Sequence, residues 1–321
     1  MIIAKYLTRG LVFLFALLLL GSSCKKKRAF EDETAQDAVD IRFTQGECDE
    51  IIKDVNTVIM EQYLLRGRNS DLLGTTEGST TTVCGVKLDT ILLTKGIVTM
   101  NFDGSNCSGR SRTGSVRFTI QGYPVTKWKH SGCTILVEYL SYKSTQPSTG
   151  HSITMSGTSY LINESGNTWY ELWYLSEPSV TNRMTGDGIK VVFDDGNYGK
   201  FSFDRRLTFT YKNKVTTCKV EGLATANNRS MAENWGLSRR GENFVSQVNT
   251  PYIWKTSCGP IAPLSGEVTI MVSEKEYDLK NLFGVSSYGD DLKGGDVPCP
   301  YGWKTSWSRK NKTNSRIFSY F

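Results

Sequence analysis

From residue 79 to the C-terminus, the chain repeats short runs of β-forming residues separated by turn residues. Examples are GIVTMNF (96–102), GSVRFTI (114–120) and IKVVFDD (189–195), with Gly, Asn, Asp or Ser standing between such runs. Regular short spacing with turn signals, and without helical stretches in between, is typical of antiparallel all-β folds. The pattern predicts a mainly β domain over residues 79–321, built as an antiparallel β-sandwich or an extended meander.

The segment GECDEIIKDVNTVIMEQYLL (46–65) has a different periodicity. Its apolar residues recur mostly at three- and four-residue steps, and they are Cys48, Ile51, Ile52, Val55, Val58, Ile59 and Tyr63. This spacing places them on one face of a helix. We therefore predict an N-terminal amphipathic helix over residues 45–68, packed on the sheet. A helix that binds a partner is the alternative.

The first 23 residues have the pattern of a secretory signal peptide, with Lys5 and Arg9 before the apolar run LVFLFALLLL (11–20). As a helix, this run and Gly21 span about 16 Å, whereas the hydrocarbon layer of a bilayer is roughly 30 Å thick. The run is too short to cross a membrane, so residues 1–23 are predicted to be a cleaved signal.

Cys24 follows Gly21-Ser22-Ser23, and this arrangement resembles a bacterial lipobox, in which the cysteine is acylated and becomes the N-terminus. The usual box has Leu three residues before the cysteine, where this chain has Gly21; relaxed boxes ending in Ser-Cys look like those of Bacteroidetes lipoproteins. The resemblance implies lipidation of Cys24 with palmitate-type chains, and a membrane as partner. Two acyl chains would anchor the protein stably. Ordinary signal-peptide cleavage, leaving a free Cys24 thiol, is the alternative.

Residues 24–44 are charged and contain few aromatics, which predicts an acylated N-terminus and a flexible tether. The basic run at 25–28 suits contact with anionic phospholipid. The residues after Cys24 begin neither with the Asp that retains lipoproteins in the inner membrane nor with the acidic residues that signal export to the cell surface. We predict an outer-membrane lipoprotein on the periplasmic face rather than the cell surface. A solvated linker without a sorting role is the alternative for the basic run.

The composition argues against several classes of function. The net charge of +6 is evenly scattered, and without a dense basic stripe we predict no nucleic-acid partner. The chain has no P-loop, GxSxG or HExxH motif. His130 and Cys133 have no second pair of ligands beside them, so neither a metal nor a cofactor is predicted. Asp194-Asp195 and Asp290-Asp291 both adjoin Gly and are interpreted as turns.

The segment NTWYELWYLSE (167–177) is the strongest candidate for ligand binding. On a strand, Trp169, Glu171 and Trp173 would share one face. Two indoles with a carboxylate between them suit stacking on sugar rings and hydrogen bonding to hydroxyls. The segment therefore favours a carbohydrate-binding module with a glycan as partner. Burial of both faces between layers of the fold is the alternative.

The cysteines constrain the cross-links. The chain has eight, so lipidation of Cys24 would leave an odd number and at least one unpaired thiol. If Lys95-Gly96 forms a two-residue hairpin turn, Cys84 lies opposite Cys107, at a separation that suits a disulfide. Cys48, Cys133 and Cys218 are left unassigned.

A four-residue pattern recurs in the chain. SRTG (111–114) returns as SRRG (238–241), each time shortly after a glycine and before a strand. The repeat suggests two related β halves that meet near residue 205. Chance recurrence is the alternative.

Two longer runs resemble segments of uncharacterised Bacteroidetes β-rich lipoproteins. The run 84–122 has their Cys-hairpin-Cys pattern and a Gly-Arg-x-Arg-x-Gly step at 109–114, and the run 238–270 is similar to their second half. The resemblance implies a Cys258–Cys299 disulfide, and it implies no activity.

The expected role is therefore non-catalytic: binding, adhesion or envelope structure, with an envelope protein or a glycan as partner. Enzyme status is left uncertain. One alternative is a carbohydrate-binding module using Trp169 and Trp173. The other is an enzyme with an unrecognised site, which would need a cleft that joins distant carboxylates or histidines.

Overall fold

The computed structural model describes residues 33, 35–66, 81–273, 278–293, 298–309 and 312–320. A long helix α1 covers residues 35–61 and is followed by a short helix α2 (Tyr63–Arg66), a 3-10 turn (Leu93–Lys95) and a helix α3 (Trp169–Tyr174). The remaining elements are strands, so the prediction of a mainly β fold with one long N-terminal helix is confirmed. The predicted signal peptide and Cys24 lie outside the described residues.

The strands are β1 (Val86–Asp89), β2 (Ile97–Cys107), β3 (Arg110–Ile120), β4 (Thr134–Gln146), β5 (His151–Asn163), β6 (Val180–Phe193), β7 (Tyr198–Lys212), β8 (Val215–Gly222), β9 (Ala224–Ala226), β10 (Arg229–Leu237), β11 (Asn243–Lys255), β12 (Ser265–Val272), β13 (Asp278–Val285), β14 (Gly302–Arg309) and β15 (Lys312–Ser319).

All of these strands belong to one antiparallel sheet of the extended-meander type. Strands β1 to β7 each pair with the next, and so do β10 to β15. Strand β7 joins the two series because it pairs with β8 through Arg205–Lys212 and with β10 through Lys200–Phe203. The sheet is therefore continuous through residue 205, where the repeat had suggested a meeting of two halves.

Helix α1 lies against the inner face of this sheet, and strands from distant parts of the chain contact it. Tyr142 of β4 donates a hydrogen bond to Glu47 at 2.7 Å, and Arg205 of β7 pairs with Asp49 at 2.8 Å. Gln45 donates to the Tyr252 hydroxyl of β11 at 2.6 Å. Because β4, β7 and β11 lie apart in the sheet and all contact α1, the sheet must curl around the helix. The part of the predicted apolar stripe that lies on α1, from Cys48 to Ile59, is buried as predicted, but so are most of the polar residues of the helix.

The predicted tether is wrong from residue 35 onward, since residues 35–44 are the first turns of α1. Asp40 pairs with Arg239 at 2.5 Å, and Arg42 donates to the Pro260 carbonyl at 2.7 Å. The charged composition of this segment indicated a solvated linker. The sheet instead supplies partners for these charges, so they are buried at a tolerable desolvation cost. The helix accordingly begins about ten residues before the predicted start at 45 and ends at 61.

Both copies of the recurring pattern supply arginines to α1. Arg112, in the first copy, pairs with Asp54 at 2.6 Å, and the neighbouring Arg110 pairs with Glu47. The second copy is SRRG (238–241), whose two arginines pair with Asp40 and Asp37 near the start of the helix. The repeat therefore marks two places where the sheet neutralises acidic residues of α1.

The Cys84–Cys107 and Cys258–Cys299 disulfides are both present, with Cα separations of 6.0 and 5.4 Å. The pairing of Cys84 is confirmed, but the register behind it is wrong. Val86 lies opposite Phe102, and a longer connection containing the 3-10 turn replaces the two-residue turn. The reason is Leu93, which the 3-10 turn directs into the core, where it is 6% exposed. Cys48, Cys133 and Cys218 are buried free thiols.

Candidate functional site

The aromatic segment that suggested a sugar platform forms helix α3 rather than a strand. Thr168 is its N-cap, and the Thr168 hydroxyl accepts a hydrogen bond from the Tyr170 amide at 3.1 Å. Glu171 Oε2 accepts from the Thr168 amide at 2.8 Å, which completes a capping box. The sequence carries this signal, a threonine followed three residues later by glutamate, but the aromatic alternation was interpreted as a strand.

Helical geometry still brings the two tryptophans together, because residues four apart lie on the same face of a helix. The Trp169 and Trp173 ring centroids are 5.7 Å apart, and Tyr211 of β7 lies 6.1 Å beyond Trp173. Glu171 does not lie between the indoles; it is held in the capping box and is nearly buried. The predicted strand-face platform of Trp169, Glu171 and Trp173 is therefore not formed, and the rings that lie together are those of Trp169, Trp173 and Tyr211.

These three rings line one side of a cavity of about 510 Å³, which we call the aromatic cavity. Helix α1 and strand β3 contribute charged side chains to the same lining: Glu50, Lys53, Asp54, Arg110 and Arg112. Val83, Ser108, Lys214, four threonines and the Cys84–Cys107 disulfide complete the lining among the described residues. The lining thus has an aromatic part and a charged part, which we call the aromatic wall and the charged wall.

Local periodicity explains the charged wall. Glu50, Lys53 and Asp54 are three and four positions apart on α1, so they share one side of the helix. Arg110 and Arg112 alternate along β3 in phase with the buried Val116, so both side chains point inward. The sequence resemblance had singled out these arginines only as part of a structural motif, and Lys53 and Tyr211 had not been considered.

The two tryptophans differ in how far they are buried. Trp169 is 2% exposed and packs edge-on against Phe209, with ring centroids 5.1 Å apart. Trp173 is half-buried, and its indole N–H donates to the Thr216 hydroxyl at 2.8 Å. Trp169 thus belongs to the core at the back of the cavity, whereas Trp173 and Tyr211 are closer to its mouth.

Ion pairs fix the charged wall. Arg112 pairs with Asp54 at 2.6 Å, Lys53 pairs with Glu50, and Arg110 lies 3.6 Å from Glu50. Burial raises the pKa of Glu50, but Lys53 and the two arginines outweigh it and lower that pKa to about 2. At Asp54, burial outweighs Arg112, so its pKa is raised.

Two buried N–H groups among the lining side chains have no hydrogen-bond acceptor in the described part of the chain. They are Arg110 Nε and Trp169 Nε1. A buried donor without an acceptor is costly and uncommon in folded proteins. An acceptor supplied by a bound molecule would satisfy such a group.

The other sequence candidates lie elsewhere. His130 is exposed in a loop, and its Nδ1 accepts from the Lys127 amide at 3.2 Å. Asp194 and Asp195 lie in the β6–β7 turn and pair with Arg239 at 2.9 and 3.1 Å. Within the described ranges, no three His, Cys, Asp or Glu side chains form a metal-binding group.

A second cavity, of about 470 Å³, lies at the start of α1 and is lined by Gln36, His151 and Trp303 among others. His151 is 3.6 Å from both Asp40 and Asp194, and burial lowers its pKa despite these carboxylates. The sequence patterns give His151 no role, because it belongs to no recognised catalytic motif.

Comparison with protein-family models finds no match, and neither does a search of curated proteins or of solved structures. Among the described residues, no helix combines the length and apolar character needed to span a bilayer.

Proposed function

We propose that the protein is a lipid-anchored, non-catalytic envelope protein that binds carbohydrate in the aromatic cavity. The observation that carries this proposal is that the aromatic wall of Trp169, Trp173 and Tyr211 lines the same cavity as a wall of charged side chains. Aromatic rings pack against the apolar C–H faces of sugars, and charged groups hydrogen-bond their hydroxyls. A volume of about 510 Å³ lies within the range of small-ligand pockets, which is roughly 300–1,000 Å³.

The first prediction concerns glycan binding by a Trp173→Ala variant. Each aromatic contact contributes about 0.5–1.5 kcal/mol, so we expect a roughly two- to tenfold loss of affinity. The measurement is glycan-array binding followed by calorimetric titration with the glycans that bind. Thermal melting of each variant verifies that the fold is retained.

Tyr174→Ala is the matched control, because Tyr174 is on the same helix but 66% exposed and outside the cavity. We expect Tyr174→Ala to bind like the wild type. Absence of any glycan signal from the folded wild type would contradict the proposal and leave a structural or protein-binding role.

The anchor is a separate prediction and depends on the signal sequence and the lipobox resemblance at Cys24. We expect the mature chain to begin at a diacylated Cys24 and to be held in the outer membrane, on its periplasmic face. Intact mass of the detergent-extracted protein measures the acyl chains directly. Cys24→Ser should release the protein from the membrane fraction. A wild-type chain that is water-soluble and carries a free Cys24 thiol would contradict the anchor.

A further inference from the structure

We propose that the aromatic cavity selects acidic saccharides, namely chains of hexuronate, over neutral sugars of the same shape. This inference rests on the proposed carbohydrate binding at the same cavity and specifies its ligand class. Three observations on the described residues support it: the excess of cations in the lining, an exposed lysine without an ion-pair partner among them, and two buried donors without acceptors among them.

The lining is unbalanced in charge. Its cations are Lys53, Arg110, Arg112 and Lys214, and its carboxylates are Glu50 and Asp54. Glu47 also pairs with Arg110, but Glu47 is not among the side chains that line the cavity. A bound anion would therefore meet more positive than negative charge.

Lys214 contributes to this excess at the mouth. It lies in the two-residue turn between β7 and β8, with φ values of 53° at Asn213 and 62° at Lys214. The turn places it three residues after Tyr211, on the aromatic side of the cavity. Lys214 is exposed and has no ion-pair partner within the described residues. Its ammonium group is therefore available to a ligand that stacks on Tyr211 and Trp173.

The hydrogen-bonding character of the lining also favours an anion. Arg110 Nε and Trp169 Nε1 are buried donors without acceptors among the described residues. The carboxylates of Glu50 and Asp54 are already engaged by Lys53 and Arg112. A cavity with spare donors and already paired carboxylates suits a ligand carboxylate, which accepts hydrogen bonds at two oxygens, better than a ligand hydroxyl, which accepts at one. Hydrogen bonds to ionised groups are also about twice as strong as neutral ones.

The test is calorimetric titration of the full mature protein with two ligands that differ only at C6, α-1,4-linked trigalacturonate and α-1,4-linked galactotriose. At low salt we expect trigalacturonate to bind about tenfold more tightly, because one charge-assisted hydrogen bond is of that size. The difference should shrink when NaCl is raised, since salt screens exposed charges. The affinity for galactotriose should not respond to salt.

Lys214→Met identifies the residue responsible. We expect about a threefold loss of affinity for trigalacturonate, as for an exposed charge pair, and a smaller loss for galactotriose, which has no carboxylate. Lys214→Arg, which keeps the positive charge, should bind trigalacturonate with the same preference as the wild type. Lys212→Met is the matched control, because Lys212 is an exposed lysine of the same hairpin that does not line the cavity.

The outcomes separate the two proposals. If Trp173-dependent binding is equal for both ligands, the acidic preference is overturned and carbohydrate binding stands. If neither ligand binds and the glycan array is also silent, both proposals are overturned. Tighter trigalacturonate binding that Trp173→Ala and Lys214→Met both weaken supports the inference. Tighter binding that neither variant changes overturns it, because the ligand then lies elsewhere.

Discussion

Replacing Arg205 with methionine is expected to lower the free energy of unfolding by about 3–5 kcal/mol at pH 7. Arg205 is fully buried, and its guanidinium pairs with the fully buried Asp49 at 2.8 Å. It also donates to the Tyr252 hydroxyl at 3.3 Å. Methionine fills similar space but leaves Asp49 as a buried carboxylate without this cation. Urea unfolding followed by tryptophan fluorescence measures the loss.

Two further variants isolate the cause of this loss. Arg117→Met breaks the bidentate ion pair with Glu138 on the exposed side of the sheet. We expect this change to lower the free energy of unfolding by less than about 1 kcal/mol. Adding Asp49→Asn to Arg205→Met should recover part of the lost stability, because the unpaired charge is removed. If Arg205→Met costs no more than Arg117→Met, the buried pair does not stabilise α1 inside the sheet.

The second large effect is a pH dependence caused by Glu233 of β10. Glu233 is fully buried and accepts hydrogen bonds from Gln45 and from the Ser246 hydroxyl, the latter at 3.0 Å. Burial raises its pKa from 4.5 to about 7, although the nearby Arg205 opposes this shift. Because this pKa is raised on folding, the folded state binds the proton more tightly than the unfolded chain. The resulting stabilisation is complete below pH 4.5 and is lost as the pH rises through 7.

A shift of this size corresponds to about 3 kcal/mol. We therefore expect Glu233→Gln to gain about that much stability relative to the wild type between pH 4.5 and 8, since glutamine keeps the size of the side chain without a charge. Asp49, Arg42 and Arg205 also surround this site, so the informative quantity is the difference between the two unfolding curves at each pH. Parallel pH profiles for the two proteins would contradict the assignment.

The two predictions are linked because Arg205 opposes the raised pKa of Glu233. Removing this cation should raise the pKa of Glu233 further, so Arg205→Met should lose more stability at pH 8 than at pH 5. The same polar core therefore sets both the mutational sensitivity of the protein and its pH dependence. Its members come from α1, β7, β10 and β11.

Local patterns in the sequence determined several features correctly. The alternation after residue 79 identified an antiparallel β fold, and the three- and four-residue steps of 46–65 identified the apolar stripe of α1. The Cys84–Cys107 pair was also correct, although its register was not. These features depend on neighbours that are close in the chain, or on periodicity that reports which side of an element is apolar.

The tertiary structure alone decided what surrounds α1. Charged residues such as Asp40 and Arg42 had suggested a solvated tether, because composition reports the cost of burying a charge but not whether a partner will be present. The curled sheet brings Arg239 and the Pro260 carbonyl to them. Only the complete fold shows that these residues belong to a buried helix.

The aromatic cavity, too, was decided by the tertiary structure. The sequence identified Trp169 and Trp173 as candidates, but it assigned them to a strand and placed Glu171 between them. A capping box at Thr168 instead begins a short helix and turns Glu171 away. The charged wall comes from α1 and β3, and its last residue, Arg112, precedes Trp169 by 57 positions. Periodicity places side chains on a face of one element, whereas the curl of the sheet decides which distant faces meet around a common space.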